Sequence, residues 1–227
     1  QEQKGLYGAF IVHPKTTTLK VDHDVVVVLS DWSDENANDI LKNLRKDGDY
    51  YTFKKDTMRS WLGALQAQAF SNYMINEWSR MGGMDYSDVG YDAFLINGKR
   101  DSQLLTAHPG EKVRLRIVNA GASTYFSVAL ADVAMNIIAA DGIDVEPIYA
   151  NEILMGMAET YDVLFEVPEH KNYELKITAQ DGTGGASAWI GMGEKVLAPV
   201  KQMPNMYALM EHGAHTDHSQ HAAVSHE

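Results

Sequence analysis

The sequence predicts an all-β fold, a sandwich or barrel of short strands with Greek-key connections and one helical insertion. The first observation is strict alternation over residues 112–117, where Val113, Leu115 and Ile117 share one face and charged residues share the other. The second is a series of similar short segments, separated by turn residues, from residue 93 onward. The third is the lack of helices alternating with these segments, which argues against a parallel doubly wound sheet.

The first predicted element is a strand at residues 5–14 (GLYGAFIVHP). Leu6, Phe10 and Val12 share one parity, and Pro14 ends the run because proline cannot donate to a sheet ladder. A strand so close to the start of the sequence needs a partner sheet, which the few preceding residues cannot supply. We therefore expect either that a helical or strand-poor partner is missing or that this strand closes the sheet of an upstream domain.

Two helical segments follow a second β-rich run at residues 19–32. Residues 33–48 are predicted to be helical, with Ser33 or Asp34 as N-cap, Gly48 as the stop, and an apolar stripe of Ile40, Leu41 and Leu44. Residues 57–80 predict a longer helical insertion, because apolar and aromatic side chains recur every four residues, at Trp61, Leu65, Ala69 and Tyr73. We interpret this second stripe as core packing.

Short strands are predicted from residue 93 onward. The segment AFLINGK contains the pair Asn97–Gly98, which favours a tight hairpin turn. The segments that follow are EKVRLRIVNAG, STYFSVALAD, MNIIAADG, ETYDVLFEVPE, NYELKITAQDG and ASAWIGMG. Inward-facing side chains are expected at alternate positions, including Tyr161, Val163, Phe165, Val167, Tyr173, Leu175 and Ile177. This spacing is typical of a β-sandwich or barrel.

The composition limits the possible functions. The 227 residues carry a net charge of −12 without a basic patch, so we expect no binding to nucleic acid or to an anionic membrane surface. No apolar run approaches the roughly 20 residues that span a bilayer, so we expect no membrane insertion. The sequence has no cysteine, which excludes disulfides, thiol nucleophiles and a Cys-ligated blue-copper site made by this chain alone.

Few other motifs point to chemistry. The first residue is Gln1 rather than methionine, so we expect a processed chain or a piece of a longer protein. No nucleophile elbow, P-loop or dinucleotide motif is present, and no His-x-His pair occurs. Four histidines are scattered: His13, His23, His108 and His170. Two methionine pairs are interpreted as core filler, with copper binding as the alternative: Met81 with Met84, and Met155 with Met157.

The last residues concentrate possible copper ligands. Five of the nine histidines lie in the final sixteen residues, and three methionines precede them. Thioether sulfur suits Cu(I) and imidazole also suits Cu(II), so the pattern predicts an auxiliary copper site. Its candidate ligands are Met203, Met206, Met210, His212, His215, His218 and His221. The alternative is a solvated tail that binds no particular ligand.

Several stretches resemble the periplasmic copper-resistance multicopper oxidases of the CopA type. These are QEQKGLYGAFIVHP, VVVLSDW, YDAFLINGKRDSQLLTAHPGEKVRLRIVNAGASTYFSVAL, AADGIDVEPI and MGMAETYDVLFEVPE. The block at residues 91–168 is the longest, and it resembles the second cupredoxin-like domain of that family. The Met/His tail resembles the linker between its second and third domains, so the resemblance covers nearly the whole chain.

The resemblance implies a cupredoxin-like fold, a periplasmic location and copper as the cofactor of a larger protein. It implies that residues 1–18 are the C-terminal strand of a first domain, residues 19–199 the second domain and residues 200–227 the start of a linker. In this family a mononuclear copper passes electrons to a trinuclear cluster that reduces O2 to water. The ligands are His-x-His pairs of the first and third domains and a Cys and His of the third. None of these ligands maps onto this chain, so no catalytic or cofactor-binding oxidase residue is expected here.

Three functional hypotheses stay open. In the first, the chain is part of an oxidase that couples oxidation of Cu(I) or an organic substrate to O2 reduction, and it is inactive without the first and third domains. In the second, it is a non-catalytic module that binds and sequesters copper ions. The third is a purely structural cupredoxin-like domain. His-x-His pairs upstream and a His-Cys-His motif downstream would favour the oxidase.

Overall fold

The computed structural model describes residues 2–13, 15, 19–46, 50–51, 61–78 and 89–201, and the structural statements below concern these residues. They fall into two compact units. The larger contains the described residues up to 51 and from 89 onward, and the smaller contains residues 61–78. The larger unit is built from two β-sheets, which confirms the predicted all-β class.

The strands of the larger unit are β1 (His23–Trp32), β2 (Ala93–Ile96), β3 (Asp101–Leu105), β4 (Lys112–Asn119), β5 (Phe126–Leu130), β6 (Met135–Ala140), β7 (Ile143–Ala150), β8 (Glu152–Met155), β9 (Thr160–Glu166), β10 (Lys171–Ala179), β11 (Gly185–Gly191) and β12 (Glu194–Val196). Sheet A has the order β2-β1-β4-β9-β6-β7. Sheet B has the order β3-β11-β10-β5-β8, and β12 pairs with the start of β10.

Both sheets are mixed rather than purely antiparallel. The pairs β1/β4, β3/β11 and β10/β12 are parallel, while the other described pairs are antiparallel. Parallel neighbours arise because β1 and β4, adjacent in sheet A, are far apart in sequence and joined by a long crossover rather than a hairpin. The predicted sandwich therefore combines three parallel pairs with a majority of antiparallel pairs among the described strands.

The predicted inward-facing residues form the core between the sheets. Val113, Leu115 and Ile117 are fully buried, as the alternation predicted. Phe126 of β5 is also fully buried and packs edge-on against Phe94 of β2, with ring centroids 5.6 Å apart. This aromatic pair joins the two sheets, and each such ring removes a large apolar area from water.

The Asn-Gly turn after β2 is confirmed. Asn97 and Gly98 both have positive φ, 47° and 77°, as a tight hairpin with right-handed twist requires. The Asn97 side chain also completes the edge of β1, since its Oδ1 accepts from Val28 N (2.7 Å) and its Nδ2 donates to Val26 O (3.0 Å). The turn residue therefore supplies hydrogen bonds that a longer strand would otherwise make.

The first helix, α1 (Ala37–Lys46), starts later than predicted. Its N-cap is Asn36, whose Oδ1 accepts from Asn38 N at 2.9 Å, and not Ser33 or Asp34. In the predicted stripe Ile40 is buried, Leu44 is half-buried against the core and Leu41 is exposed. The expected stop, Gly48, lies outside the described residues.

The helical insertion at 57–80 is two helices in the described range, α2 (Trp61–Gln66) and α3 (Phe70–Trp78). The break follows from Gln68, which has a φ of 54°, and from a hydrogen bond of 2.8 Å between Ala69 N and Ala64 O that ends α2. Trp61 and Leu65 are more than half exposed. The interpretation of this stripe as core packing is therefore wrong for these two residues.

The strand predicted at residues 5–14 is not formed in the described structure. A short 3₁₀ turn at Glu2–Lys4 is followed by residues 5–13 with no strand pairing. Leu6, Phe10 and Val12 are 69%, 91% and 76% exposed, so the apolar parity points to solvent. The physical reason is that a strand needs a neighbouring sheet edge for its N–H and C=O groups, and this segment lies across the face of sheet A instead.

Candidate functional site

The seven predicted copper ligands lie outside the described residues. These are Met203, Met206, Met210, His212, His215, His218 and His221, and the last described residue is Lys201. The auxiliary copper site therefore stays a prediction. The same holds for Met81 and Met84.

Nothing in the described part of the chain forms a copper centre. Among these residues no three His, Cys, Asp or Glu side chains group closely enough to hold a metal ion, and the sequence has no cysteine at any position. Met155 is fully buried in the core and so acts as core filler, whereas the neighbouring Met157 is partly exposed. The donor set of a blue-copper or trinuclear site does not fit these residues.

Two of the scattered histidines, His23 and His108, form hydrogen bonds that join the start of β1 to the loop before β4. Glu111 Oε2 accepts from the backbone N of His108 and from His23 Nε2, each at 2.8 Å. These contacts, the backbone one foremost, hold the pKa of the Glu111 carboxyl below its usual value. The arrangement ties the start of β1 to the loop before β4, which is a structural role.

A buried carboxylate that the sequence did not reveal braces one end of the sandwich. Asp31, at the end of β1, accepts hydrogen bonds from Ala122 N (3.0 Å), Ser123 N (3.2 Å) and Thr124 Oγ1 (2.8 Å). Burial and the nearby Asp31 raise the pKa of the Tyr91 hydroxyl. The local sequence around Asp31, LSDW, does not distinguish a buried aspartate from a solvent-exposed one. The burial of Asp31 is therefore seen only in the folded structure.

The outer face of sheet A has an open groove of about 820 Å³. Residues 9–12 form part of its wall, and β7 at the sheet edge is exposed along most of its length. A ladder of charges crosses the groove: Arg116 donates to both Asp24 oxygens (2.7 and 2.6 Å), and Arg114 contacts Asp162. The hydrogen bond from Arg116 is the main reason that the pKa of Asp24 is lowered.

The outer face of sheet B is covered by residues 194–201, which we call the C-terminal strap. Its first residues form β12 on the start of β10. Ala198 N then donates to Glu174 Oε2 of β10 (2.9 Å), and Lys201 Nζ contacts Glu152 of β8. Because β5 lies between β10 and β8 in the sheet, the strap crosses β5, and all five residues of β5 are buried.

The strap also covers Trp189 of β11. Lys195 Nζ lies 3.9 Å from the ring centroid, a cation–π contact, and Trp189 Nε1 donates to Asp101 Oδ1 of β3 at 2.5 Å. Trp189 is 5% exposed as a result. The central strands of this face are therefore covered by residues of the chain itself.

A cupredoxin-type sandwich whose described residues form no group of three His, Cys, Asp or Glu side chains able to hold a metal ion is the class of protein these observations define. The sequence model of the family described as multicopper oxidase matches residues 23–193, which is most of the chain. The chain belongs to the multicopper oxidase family. None of the described helices is long and apolar enough to cross a membrane.

Several of the curated relatives carry copper-resistance names. The chain is 37% identical over 209 residues to copper resistance protein A of Escherichia coli, a match that covers 88% of this chain and 34% of that protein. It is 32% identical over 209 residues to copper resistance protein A of Pseudomonas syringae pv. tomato, again covering 88% of this chain and 34% of that protein. The chain therefore spans about a third of the length of these relatives.

Solved structures confirm the cupredoxin fold. Fet3p, a multicopper oxidase that functions in iron import, superposes with a TM-score of 0.57 at 16% identity, over 86% of this chain and 32% of that one. The copper nitrite reductase of Nitrosomonas europaea superposes with a TM-score of 0.55 at 18% identity, over 85% and 57% of the two chains. Sequence identities this low support a conclusion about the fold alone. Membership of the family implies copper as a cofactor of the whole protein, although the described residues offer it no site.

Proposed function

We propose that this chain is part of a periplasmic copper-resistance multicopper oxidase, in which it supplies the second cupredoxin-like domain and the start of a Met/His-rich linker. The observation that carries the proposal is the combination of family membership with a missing donor set. A cupredoxin-like sandwich without cysteine or a histidine cluster in its described part suits a structural domain between copper-holding ones. The whole protein would oxidise Cu(I) or an organic substrate and reduce O2 to water.

The proposal assigns residues 1–18 to the end of an upstream domain and residues 19–199 to the second domain. Support comes from the exposed parity of Phe10 and Val12, which is what a strand removed from its own sheet would show. Further support comes from the relatives, of which this chain covers about a third. The partners implied are the first and third domains of the same polypeptide and copper ions.

The Met/His segment at residues 200–227 is the part proposed to touch copper in this chain. Three thioethers followed by four imidazoles provide donors for both copper oxidation states. Binding must order roughly ten residues at about 1–2 kcal/mol each, so affinity should be lower than in a preformed site. Weak binding suits a segment that collects copper and passes it on. A sequestering module without oxidase partners is the second candidate, and the names of the relatives do not favour it.

Separate titrations with Cu(I) and Cu(II) test this assignment. The intact chain is compared with a variant in which His212, His215, His218 and His221 are asparagine, and with a matched variant in which His13, His108 and His170 are. We expect the first variant to lose Cu(II) affinity and the second to keep it. Replacement of Met203, Met206 and Met210 by leucine should lower Cu(I) affinity. Equal affinities in all variants would reduce the segment to a solvated tail.

A further inference from the structure

The helices α2 and α3, which we call the helical hairpin, carry an apolar stripe that the sequence predicts to be core and that the structure leaves in water. Seven large apolar side chains of the hairpin are 40–85% exposed. They are Trp61, Leu62, Leu65, Phe70, Met74, Ile75 and Trp78. Ala64 is the one fully buried residue among the hairpin residues whose burial the structure describes. The stripe therefore has the composition of a core without a cover from the described residues.

The exposed side chains follow the helical period in both helices. In α3, Phe70, Met74 and Trp78 are four residues apart, so they lie along one line of the helix surface. In α2, Trp61 and Leu65 have the same spacing. A continuous apolar stripe of this kind normally faces a core. Each helix of the hairpin therefore presents a face that is suited to packing against another helix.

The hairpin sequence is also free of charge over most of its length. Residues 61–76, WLGALQAQAFSNYMIN, contain no Asp, Glu, Lys or Arg, although 22% of the chain is charged. A solvated helical face usually carries charges of both signs, and a helix that binds an anionic membrane carries Lys and Arg on its polar face. Neither description fits these residues. An uncharged apolar face can instead meet a copy of itself without bringing like charges together.

The hairpin is too short to be stabilised by its own contacts alone. Its helices have six and nine residues, whereas isolated helices below about 12–15 residues are marginal in water and depend on packing of an apolar face. Phe70 stacks on Tyr73 with ring centroids 6.4 Å apart, yet Phe70 is still 40% exposed. A partner that covers the stripe would supply the burial that these helices lack.

We propose that the helical hairpin is a homodimer interface, in which the apolar stripes of two copies of this chain pack against each other. The seven side chains leave roughly 700 Å² in water per chain, taking about 180 Å² for one that is fully exposed. A specific interface buries about 800 Å² per partner, whereas the largest apolar patch of a typical monomer is about 300–600 Å². The exposed area thus approaches what a stable dimer needs. The inference does not depend on the proposed function.

Sedimentation velocity of the full chain over a range of protein concentrations tests the proposal. We expect a dimer that dissociates on dilution. The double variant Leu65→Gln with Trp78→Gln should raise the dimer dissociation constant at least about tenfold, because it places two amides in the apolar interface. Circular dichroism of each variant checks that the chain stays folded.

The matched control removes two exposed apolar side chains outside the hairpin. Phe10 and Tyr149 are 91% and 73% exposed, and Phe10→Gln with Tyr149→Gln should leave the dissociation constant unchanged. A chain that is monomeric at every concentration would overturn the proposal. So would a dimer that the two double variants weaken equally, because the hairpin would then have no special part in it.

The lack of cysteine in the sequence allows a second measurement. Ser71 is exposed and lies one helical turn before Met74 and Ile75, so Ser71→Cys places a single thiol beside the apolar stripe of α3. A short bismaleimide reagent should then join two copies of the chain. The same cysteine in the background of Leu65→Gln with Trp78→Gln should stay unlinked at the same concentration. Equal cross-linking in both backgrounds would overturn the proposal.

Vesicles of neutral phosphatidylcholine separate a second copy from a lipid surface as the occupant of the stripe. We expect the parent chain to stay in solution when the vesicles are sedimented. Sedimentation of a monomeric parent chain with the vesicles, lost in the Leu65→Gln with Trp78→Gln variant, would assign the stripe to lipid and overturn the dimer. None of these measurements involves copper, so their failure leaves the proposed function untouched.

Discussion

The two outer faces of the sandwich differ in how far other parts of the chain cover them. On sheet B the strap donates a hydrogen bond to Glu174 and covers Trp189, although its own Leu197 and Val200 are exposed. On sheet A a groove remains open, and β7 exposes Ile143 and Tyr149 at 71% and 73%. Exposed apolar residues on an unpaired edge strand are rare in monomeric domains, because such edges can pair with strands of other chains.

Under the proposed function, this contrast indicates which face of the domain packs against an upstream domain. The N-terminal segment lies along sheet A and turns Phe10 outward, next to the apolar residues of the groove. On sheet B the strap covers the central strands. Under the proposed function, an upstream domain would complete sheet A, while the linker would start from sheet B.

The largest expected effect on stability comes from removing the buried carboxylate beneath the strap on sheet B. Glu174→Ala should lower the free energy of unfolding by about 2–3 kcal/mol, because Ala198 N and Ser187 Oγ lose a charged acceptor in a buried place. Denaturant unfolding measures it. Glu166→Ala, on an exposed position of sheet A, is the control and should stay within about 0.5 kcal/mol of the parent. Equal losses in the two variants would remove the distinction between the faces.

An intermediate effect is expected from the charge ladder on the open face. Arg116→Met should lower stability at neutral pH by about 1 kcal/mol, a modest figure because Asp24 is partly exposed and screened. The pKa of Asp24 is lowered in the fold, mainly by Arg116, so its contribution is present above the ordinary value near 3.9 and is lost as pH falls through the lower folded value. Unfolding curves of parent and variant should therefore converge in acid. A constant difference down to the lowest pH would contradict this account.

A weaker pH effect should appear at the strap. Lys201 and then Ser127 lower the pKa of Glu152, so this attachment is intact above about 4.3 and weakens as pH falls through its lower folded value. Amide NMR signals of β8 should shift in that acid range, before the domain unfolds. Glu152→Lys, which lacks this ion pair, is the control and should show no such shift.

The smallest effect is expected at the outward side chains of the N-terminal segment. Phe10→Ser should change the stability of this chain by no more than about 0.5 kcal/mol, because the ring is almost fully in water. Ile11→Ser is the matched neighbour, half-buried in the groove wall, and should cost about 1 kcal/mol. In a longer natural chain the order should reverse if Phe10 packs into an upstream domain. Thermal unfolding of both lengths makes the comparison.

The elements that could be read from the sequence are those whose burial is decided within the chain. Strand β4 alternates because one of its faces meets the core, and Asn97–Gly98 marks its turn by backbone conformation alone. The N-terminal strand was predicted wrongly, because residues 5–13 pair with no strand in the described structure and their apolar parity points to solvent. Strand β7 went unpredicted: Pro147 interrupts the short alternation of residues 143–146, and both faces of the strand are exposed, so its burial shows no alternation.

The polar contacts that organise the outer faces could not be predicted from local sequence. Glu174 lies in an alternating strand, at a position where the pattern predicts a solvent-exposed side chain. It is buried beneath the strap, which follows more than twenty residues later in the sequence. Asp31 is likewise held by a segment distant in sequence, the loop after β4, through a hydrogen bond from Ala122 N. Long-range contacts of this type decide whether a carboxylate is a surface charge or a brace. The pattern of the copper segment, by contrast, was visible because its residue types are unusual.

The burial of one indole beneath the strap gives the molecule a built-in optical signal. The sequence has four tryptophans, and Trp32, Trp61 and Trp78 are all about half exposed or more. Trp189 alone is shielded, between Lys195 and Asp101. Its emission should lie at shorter wavelength and resist a dissolved quencher while the strap is in place. Fluorescence from this one ring can thus follow attachment and release of the strap in real time, without any label.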